Sequence, residues 1–201
     1  MHYIVSFLYQ LLDYNEEETF YFFCAFVLNT KYHELFEDNF ETLKIFFKVF
    51  EKNLNINSPE MYYKFIDSHL ITNVYLSSWF ITLFTDYANL FEKPNITKFN
   101  FFVIEKFIIE GWSAVFNCGF TILDYCYDKI MTIEKDKLIN YVMNILEEDN
   151  ILKNENCEKV KALYLKNSKF LNEFYINKLI EITKFEENNQ YLNEIIDFIE
   201  V

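Results

Sequence analysis

The chain has 201 residues, 52% of them hydrophobic and 20% aromatic, with a net charge of −13 and a pI near 4.7. That length suffices for one domain, or for one domain and a small helical appendage. The acidic field repels phosphate backbones and anionic lipid, which excludes nucleic-acid binding and a polybasic membrane anchor. Glycine and proline occur twice each, too rarely for an all-β protein with many tight turns, and every one of the eighteen basic residues is lysine.

From Tyr3 to Leu12 the chain is apolar. No basic segment precedes this run, no small-residue cleavage site follows it, and Asp13 with Glu16, Glu17 and Glu18 comes at once, so it is not a secretory signal. Asn15 followed by three glutamates is a helix start, with a side-chain cap and then carboxylates at the positive end of the helix dipole. The next helix, 20–28, is apolar on every side, which predicts a central position. Phe36, Phe40, Leu43, Phe47, Phe50 and Leu54 step by four and three residues and predict one helical stripe. Ser58-Pro59-Glu60 starts another helix, with serine as cap and proline at the first helical position. Its inner face reads Tyr62, Phe65, Ile66, His69 and Leu70.

A further helix carries Leu76, Trp79, Phe80, Leu83 and Phe84, and residues 86–95, including Pro94, make the clearest loop. The segment 99–109 is helical and stops at Gly111, a natural C-terminal cap. The helix 112–127 follows, where Gly119 permits a close helix crossing. Beyond about residue 132 the character changes. Leu138, Ile139, Val142, Ile145 and Leu146 make an amphipathic helix, and shorter helices are predicted at 160–165, 170–182 and 191–199. The fold class is therefore all-α, an irregular multi-helix array over 1–131 with a helical C-terminal extension over 132–201. No repeat of fixed period points to a solenoid.

Chemistry-bearing groups are sparse. Cys24, Cys118, Cys126 and Cys157 lack metal-type pairing and read as reduced core thiols. His2, His33 and His69 are too scattered for a metal site, and His69, on an apolar helix face, reads as a hydrogen-bonded core histidine. Two isolated glycines cannot build a phosphate-binding loop. The carboxylates occupy helix starts and solvent faces. The longest stretch free of Asp, Glu and Lys, 68–85, holds Ser, Thr, Asn and His and is a poor membrane span. No active site, metal or cofactor is expected from the residues themselves, and the chain reads as a soluble, cytoplasmic protein with no transmembrane segment.

One set of motifs says more. Tyr75, Trp79, Phe80, Leu83 and Phe84 resemble the Y-x-x-x-W-F-x-x-L-F helix of TBC domains, the fold of Rab GTPase-activating proteins. Ile104, Glu105, Phe107, Glu110, Gly111 and Trp112 are similar to that family's W-D-x-F-x-x-E-G segment and the residue after it, and 115–123 resembles its V-L-F-x-x-x-L-A-I-L helix. Upstream, 15–22 resembles its D-E-E-x-A-F-W helix start. The elements keep the family's order over 1–131. There are departures: the Trp-Asp pair is Ile104-Glu105, the arginine just before it is missing, and the preceding loop is slightly long.

The resemblance implies the C-terminal half of such a domain, in which Tyr75, Trp79, Phe80, Leu83, Phe84, Glu110, Gly111 and Trp112 are mainly structural. It also implies catalytic fingers in the other half: an arginine from I-x-x-D-x-x-R and a glutamine from Y-x-Q-G-M. The arginine neutralises charge on the transferring phosphoryl group, and the glutamine orients the attacking water. Lysine cannot replace the planar guanidinium fork. This chain has no arginine, its Met1 aligns with the methionine of Y-x-Q-G-M, and Gln10 and Gln190 lie in other contexts.

Three readings follow: a piece of a Rab GTPase-activating protein, regulating Rab GTPases in vesicle traffic and peripheral to endomembranes through partners; a non-catalytic half-domain that binds a Rab-type GTPase or a complementary chain; or an unrelated helical scaffold. Under the first two, the stretch from Tyr3 to Leu12 should be left uncovered, and the isolated chain should self-associate or be marginally stable.

Overall fold

Apolar residues three and four positions apart fold the chain into helices throughout, and the computed structural model describes residues 2–86, 98–152, 154–167 and 173–199. The regular elements among these residues are twelve α-helices and two short 3₁₀ turns, with no strand. None of the helices is long and apolar enough to cross a membrane. The predicted loop lies, from residue 87 on, outside the described residues.

Helices α1 (His2–Leu11) and α2 (Glu16–Asn29) pack together across a reversal at Asp13 and Tyr14, whose φ angles are 51° and 63°. Asn15 caps α2 as expected, its side-chain oxygen accepting from the Glu18 N–H at 3.1 Å. The position of α2 is a correction. Only Thr19 and Phe26 are buried, whereas Phe20 and Tyr21 are 63% exposed and Leu28 67%. Conversely, Ile4, Phe7 and Leu8 of α1 are buried, and the rest of 3–12 is half-buried. The uncovered apolar surface expected on the first helix lies on the second. A helix apolar all round carries no signal of which side is covered, so its neighbours decide.

The stripe expected to begin at Phe36 begins later. Lys31, Asn39 and Phe40 adopt φ of 56°, 55° and 63°, which breaks 31–40 into two 3₁₀ turns, Tyr32–Phe36 and Asp38–Phe40. Helix α3 (Glu41–Asn57) then buries Leu43, Phe46, Val49, Phe50, Asn53 and Leu54. Phe47, expected in that stripe, is only partly buried. In α4 (Pro59–Asp67) Ser58 holds the cap position but its side chain makes no capping bond. The inner face is Met61 and Phe65, while Ile66 and His69 are exposed. His69 is thus not a core histidine. It takes the left-handed position after the helix, at φ 54°, with the Leu70 N–H donating to Phe65 O at 2.9 Å. Glycine usually fills that position.

Helix α5 (Thr72–Thr82) packs on α3, and α6 (Lys98–Glu110) on α7 (Trp112–Tyr125). The central element is α7, ten of whose fourteen residues are buried. Short helices α8 (Tyr127–Thr132), α9 (Lys135–Met143) and α10 (Ile145–Glu148) lead to α11 (Asn154–Asn167), which lies against α7 and α6. Helix α12 (Glu173–Ile199) packs on α3 and α7. Where the sequence predicts two helices, over 170–182 and 191–199, a single helix runs from 173 to 199 through the polar stretch between them. One hydrophobic cluster connects Ile4 of α1 to Tyr164 of α11 and Ile176 of α12.

Candidate functional site

The five aromatic motif residues, Tyr75, Trp79, Phe80, Phe84 and Trp112, join one aromatic assembly. Tyr75, Trp79 and Phe80 lie on the inward side of α5, and all are buried. Leu83 and Phe84 follow at φ 51° and 61°, a reversal that ends the helix and turns both side chains fully into the core. Ring centroids of Trp79 stand 5.3 Å from Tyr75, 5.3 Å from Phe84 and 6.4 Å from Phe50. Gly119 of α7 faces this group. A Cβ there would sit 2.8 Å from Phe50 Cε2 and 3.2 Å from Trp79 Cε3, so the close approach expected at this glycine is to two rings.

Phe80 and Trp112 form the second half of the assembly. Trp112 lies 4.8 Å from Phe107, 5.0 Å from Phe46 and 6.2 Å from Phe80, and it stacks on Tyr32 at 6.1 Å. Tyr32 donates its hydroxyl to Ile81 O, tying the first 3₁₀ turn to α5. Gly111 joins α6 to α7 at φ 63° and ψ −149°, a conformation almost confined to glycine. Its N–H donates to Phe107 O at 2.9 Å, which closes α6.

Glu110 is the one carboxylate among the motif residues. Lys106 Nζ lies 2.8 Å from Oε1, the Tyr164 hydroxyl donates to Oε2 at 2.5 Å, and the Ser113 hydroxyl donates to the backbone oxygen at 2.7 Å. Burial, with the Glu110 carboxylate among the lesser causes, pushes the Tyr164 hydroxyl well above the usual tyrosine range. Glu110 thus serves as an anchor for α11. Tyr164 is the residue sequence reasoning missed. It lies beyond the motifs, on a helix whose only signal was its amphipathic spacing.

Nothing in this assembly is poised for group transfer. Among the described residues no set of His, Cys, Asp and Glu side chains could hold a metal ion. Cys118, Cys126 and Cys157 are buried, and desolvation raises all three thiols, that of Cys126 up to about 12, which keeps them from the thiolate form a nucleophile needs. The feature that points outward is the apolar side of α2. Phe20 and Phe23 face Val5 and Tyr9 of α1 across an open groove of about 540 Å³, with Glu16 at its rim. Tyr21, Phe22 and Leu28 extend the exposed apolar surface along the helix.

Comparison with known proteins adds the following. The family model described as the Rab-GTPase-TBC domain matches residues 1–131. The chain is similar to the ecotropic viral integration site 5 protein homolog of Homo sapiens, 23% identical over 201 residues that cover 94% of this chain and 24% of the relative. It is similar to the Rab GTPase-activating protein eat-17 of Caenorhabditis elegans, 24% identical over 208 residues, covering 94% of this chain and 22% of that one. Similarity to the ecotropic viral integration site 5 protein of Mus musculus, 25% identical, covers 65% of this chain and 15% of the relative. The chain therefore spans about a quarter or less of the length of these relatives.

Proposed function

The chain belongs to the Rab-GTPase-TBC domain family, and on that premise we propose that it is the scaffold part of a Rab GTPase-activating domain, with both catalytic fingers lying outside these 201 residues. Residues 1–131 are in this reading the C-terminal half of the TBC domain and 132–201 a helical extension. The relative named as a Rab GTPase-activating protein, eat-17, supports a Rab-type GTPase as the eventual partner. The chain then works in the cytoplasm in vesicle traffic and reaches endomembranes through its partners.

The exposed apolar side of α2 carries the proposal. Phe20, Tyr21, Phe22 and Leu28 stand exposed on the helix that lines, with α1, an open groove. Such a surface marks a seat for another element. In this reading the seat takes the half of the domain that holds the fingers. The chemistry agrees: with no arginine in the sequence, nothing here can supply the bidentate stabilisation that makes an arginine finger worth about 10³–10⁵ in rate.

The test is a single-turnover GTP hydrolysis assay of the chain against a panel of Rab GTPases. No more than about tenfold stimulation is expected; larger stimulation by this chain alone overturns the reading. Reading the coding sequence upstream of Met1 in frame is the companion measurement. A Y-x-Q-G ending there supports the proposal, and an in-frame stop supports the second reading, a stand-alone binding module. That second reading has its own observation: Ile4, Phe7 and Leu8 are already buried within the described residues, which gives the first helix a core without any further element.

A further inference from the structure

We propose that the groove between α3 and the α4–α5 junction receives an amphipathic helix of another protein, whose charges run basic, acidic, acidic, basic beside its apolar face. The groove holds about 650 Å³ and opens to solvent. It is built from elements other than α2 and does not depend on where the catalytic fingers lie. Its apolar lining follows from the chain reversal after α4. The left-handed turn at His69 ends that helix, sends Leu70 into the core and leaves Ile71 at the head of α5, 62% exposed. Ile66, in the last turn of α4, is 49% exposed and lines the same groove. Phe47 of α3 completes the floor, half-buried, with its ring centroid 6.4 Å from that of Phe80. Exposed isoleucines beside a fixed aromatic ring suit a helix-in-groove contact, in which the partner inserts apolar side chains at three- and four-residue spacing.

Charge sets the partner. Glu41, Lys44, Lys48 and Glu51 step by three, four and three residues, so they form one stripe along α3. All four line the groove. The stripe spans about 15 Å and runs acidic, basic, basic, acidic. A partner helix of the inverse order meets an opposite charge at each position. The acidic ends disfavour a phosphate backbone or an anionic lipid surface. A second copy of this chain does not supply the inverse order: nowhere in the sequence do a lysine, two acidic residues and a lysine follow one another at that spacing. The occupant is therefore a different protein. Because the order is the same from either end, charge fixes the register of the partner helix and leaves its direction to the apolar contacts.

The test is fluorescence anisotropy of two labelled synthetic helices with the full 201-residue chain. Both peptides carry leucines at three- and four-residue spacing and alanine elsewhere. One adds lysine, glutamate, glutamate and lysine at the complementary spacing, and the other exchanges the two residue types. The first is expected to bind with a Kd of about 100 µM or tighter. The second should bind at least about tenfold more weakly, since four pairs turn from attractive to repulsive. Lys44→Glu combined with Lys48→Glu, both at exposed positions, should erase the preference by weakening the first peptide and strengthening the second, which loss of the fold would not do. Ile71→Asp, also at an exposed position, should weaken both peptides by at least about fivefold. Absence of binding, equal binding of the two peptides by the parent chain, or binding that Ile71→Asp leaves unchanged overturns the proposal.

Discussion

Two glycines in 201 residues hold their positions for different physical reasons. Gly119 lacks space: a Cβ would press on Phe50 and Trp79 at 2.8 and 3.2 Å, and both rings are themselves packed. Helix propensity alone favours alanine there by about 1 kcal/mol, but overpacking costs about 1–3 kcal/mol, so packing decides the sign. Gly119→Ala is expected to lower the urea midpoint and change the near-ultraviolet circular dichroism of Trp79. A stabilised variant would show that the two rings yield. Gly111 has open space around it but sits at φ 63°. Gly111→Ala should cost about 1–3 kcal/mol through backbone strain, with the aromatic spectrum left closer to the parent's. Tyr164→Phe removes one charge-assisted bond to Glu110 while Lys106 keeps the carboxylate partnered. A loss of about 1.5 kcal/mol is expected in the same measurement, and no loss would mean that solvent already shares that carboxylate.

At the scale of single elements, α2 holds the clearest expectation. Replacing both Phe20 and Leu28 by lysine removes apolar surface that contributes little to the fold as described, so the unfolding free energy should move by no more than about 0.5 kcal/mol. Sedimentation velocity should show the parent chain self-associating and the double variant shifted towards monomer. A monodisperse parent, or a double variant that unfolds, would mean that α2 is covered in solution. The same helix shows where sequence reading reaches its limit. Start and stop signals such as the Asn15 cap and the Gly111 break were legible because they are local chemistry. The burial of Leu76, Trp79 and Phe80 was legible because their helical spacing puts them on one stripe. The outward face of α2 was not, since a helix apolar on all sides looks the same inside or outside a protein. His69 was misread for a related reason: periodicity continues past the last hydrogen-bonded turn, whereas the left-handed residue that ends the helix turns its side chain away. The late start of α3 has the same origin, with Asn39 and Phe40 at positive φ breaking a stripe that the spacing alone would extend.

For the molecule as a whole, buried hydroxyls and thiols set the response to alkali. Burial is the leading cause that raises the pKa of Tyr32, Tyr75, Tyr141, Tyr164, Cys118 and Cys126. In the unfolded chain these groups ionise near their ordinary values of about 8.5 for cysteine and 10 for tyrosine. Above those values the unfolded state binds fewer protons than the fold, so stability falls as pH rises. The urea midpoint is expected to be level from pH 7 to about 8.5, then to drop steadily towards 12, where Cys126 itself would ionise in the fold. A midpoint that stays level to about pH 11 would mean that these groups reach water without unfolding.

The bond between Glu110 and Tyr164 has a practical consequence for anyone cutting this gene. The family match ends at residue 131, and a deletion series would naturally place a stop codon there. Such a stop removes α11 from the flank of α6 and α7. Phe102, which meets the Tyr164 ring at 5.1 Å, and Cys118 would then be laid open, and Glu110 would lose one of its two side-chain partners. Fragments ending at 131 should collect in inclusion bodies, or bind hydrophobic dyes, to a greater extent than those carried through α12. A negative result from a clone trimmed to the matched region would report on the trimming, with no bearing on what the protein binds.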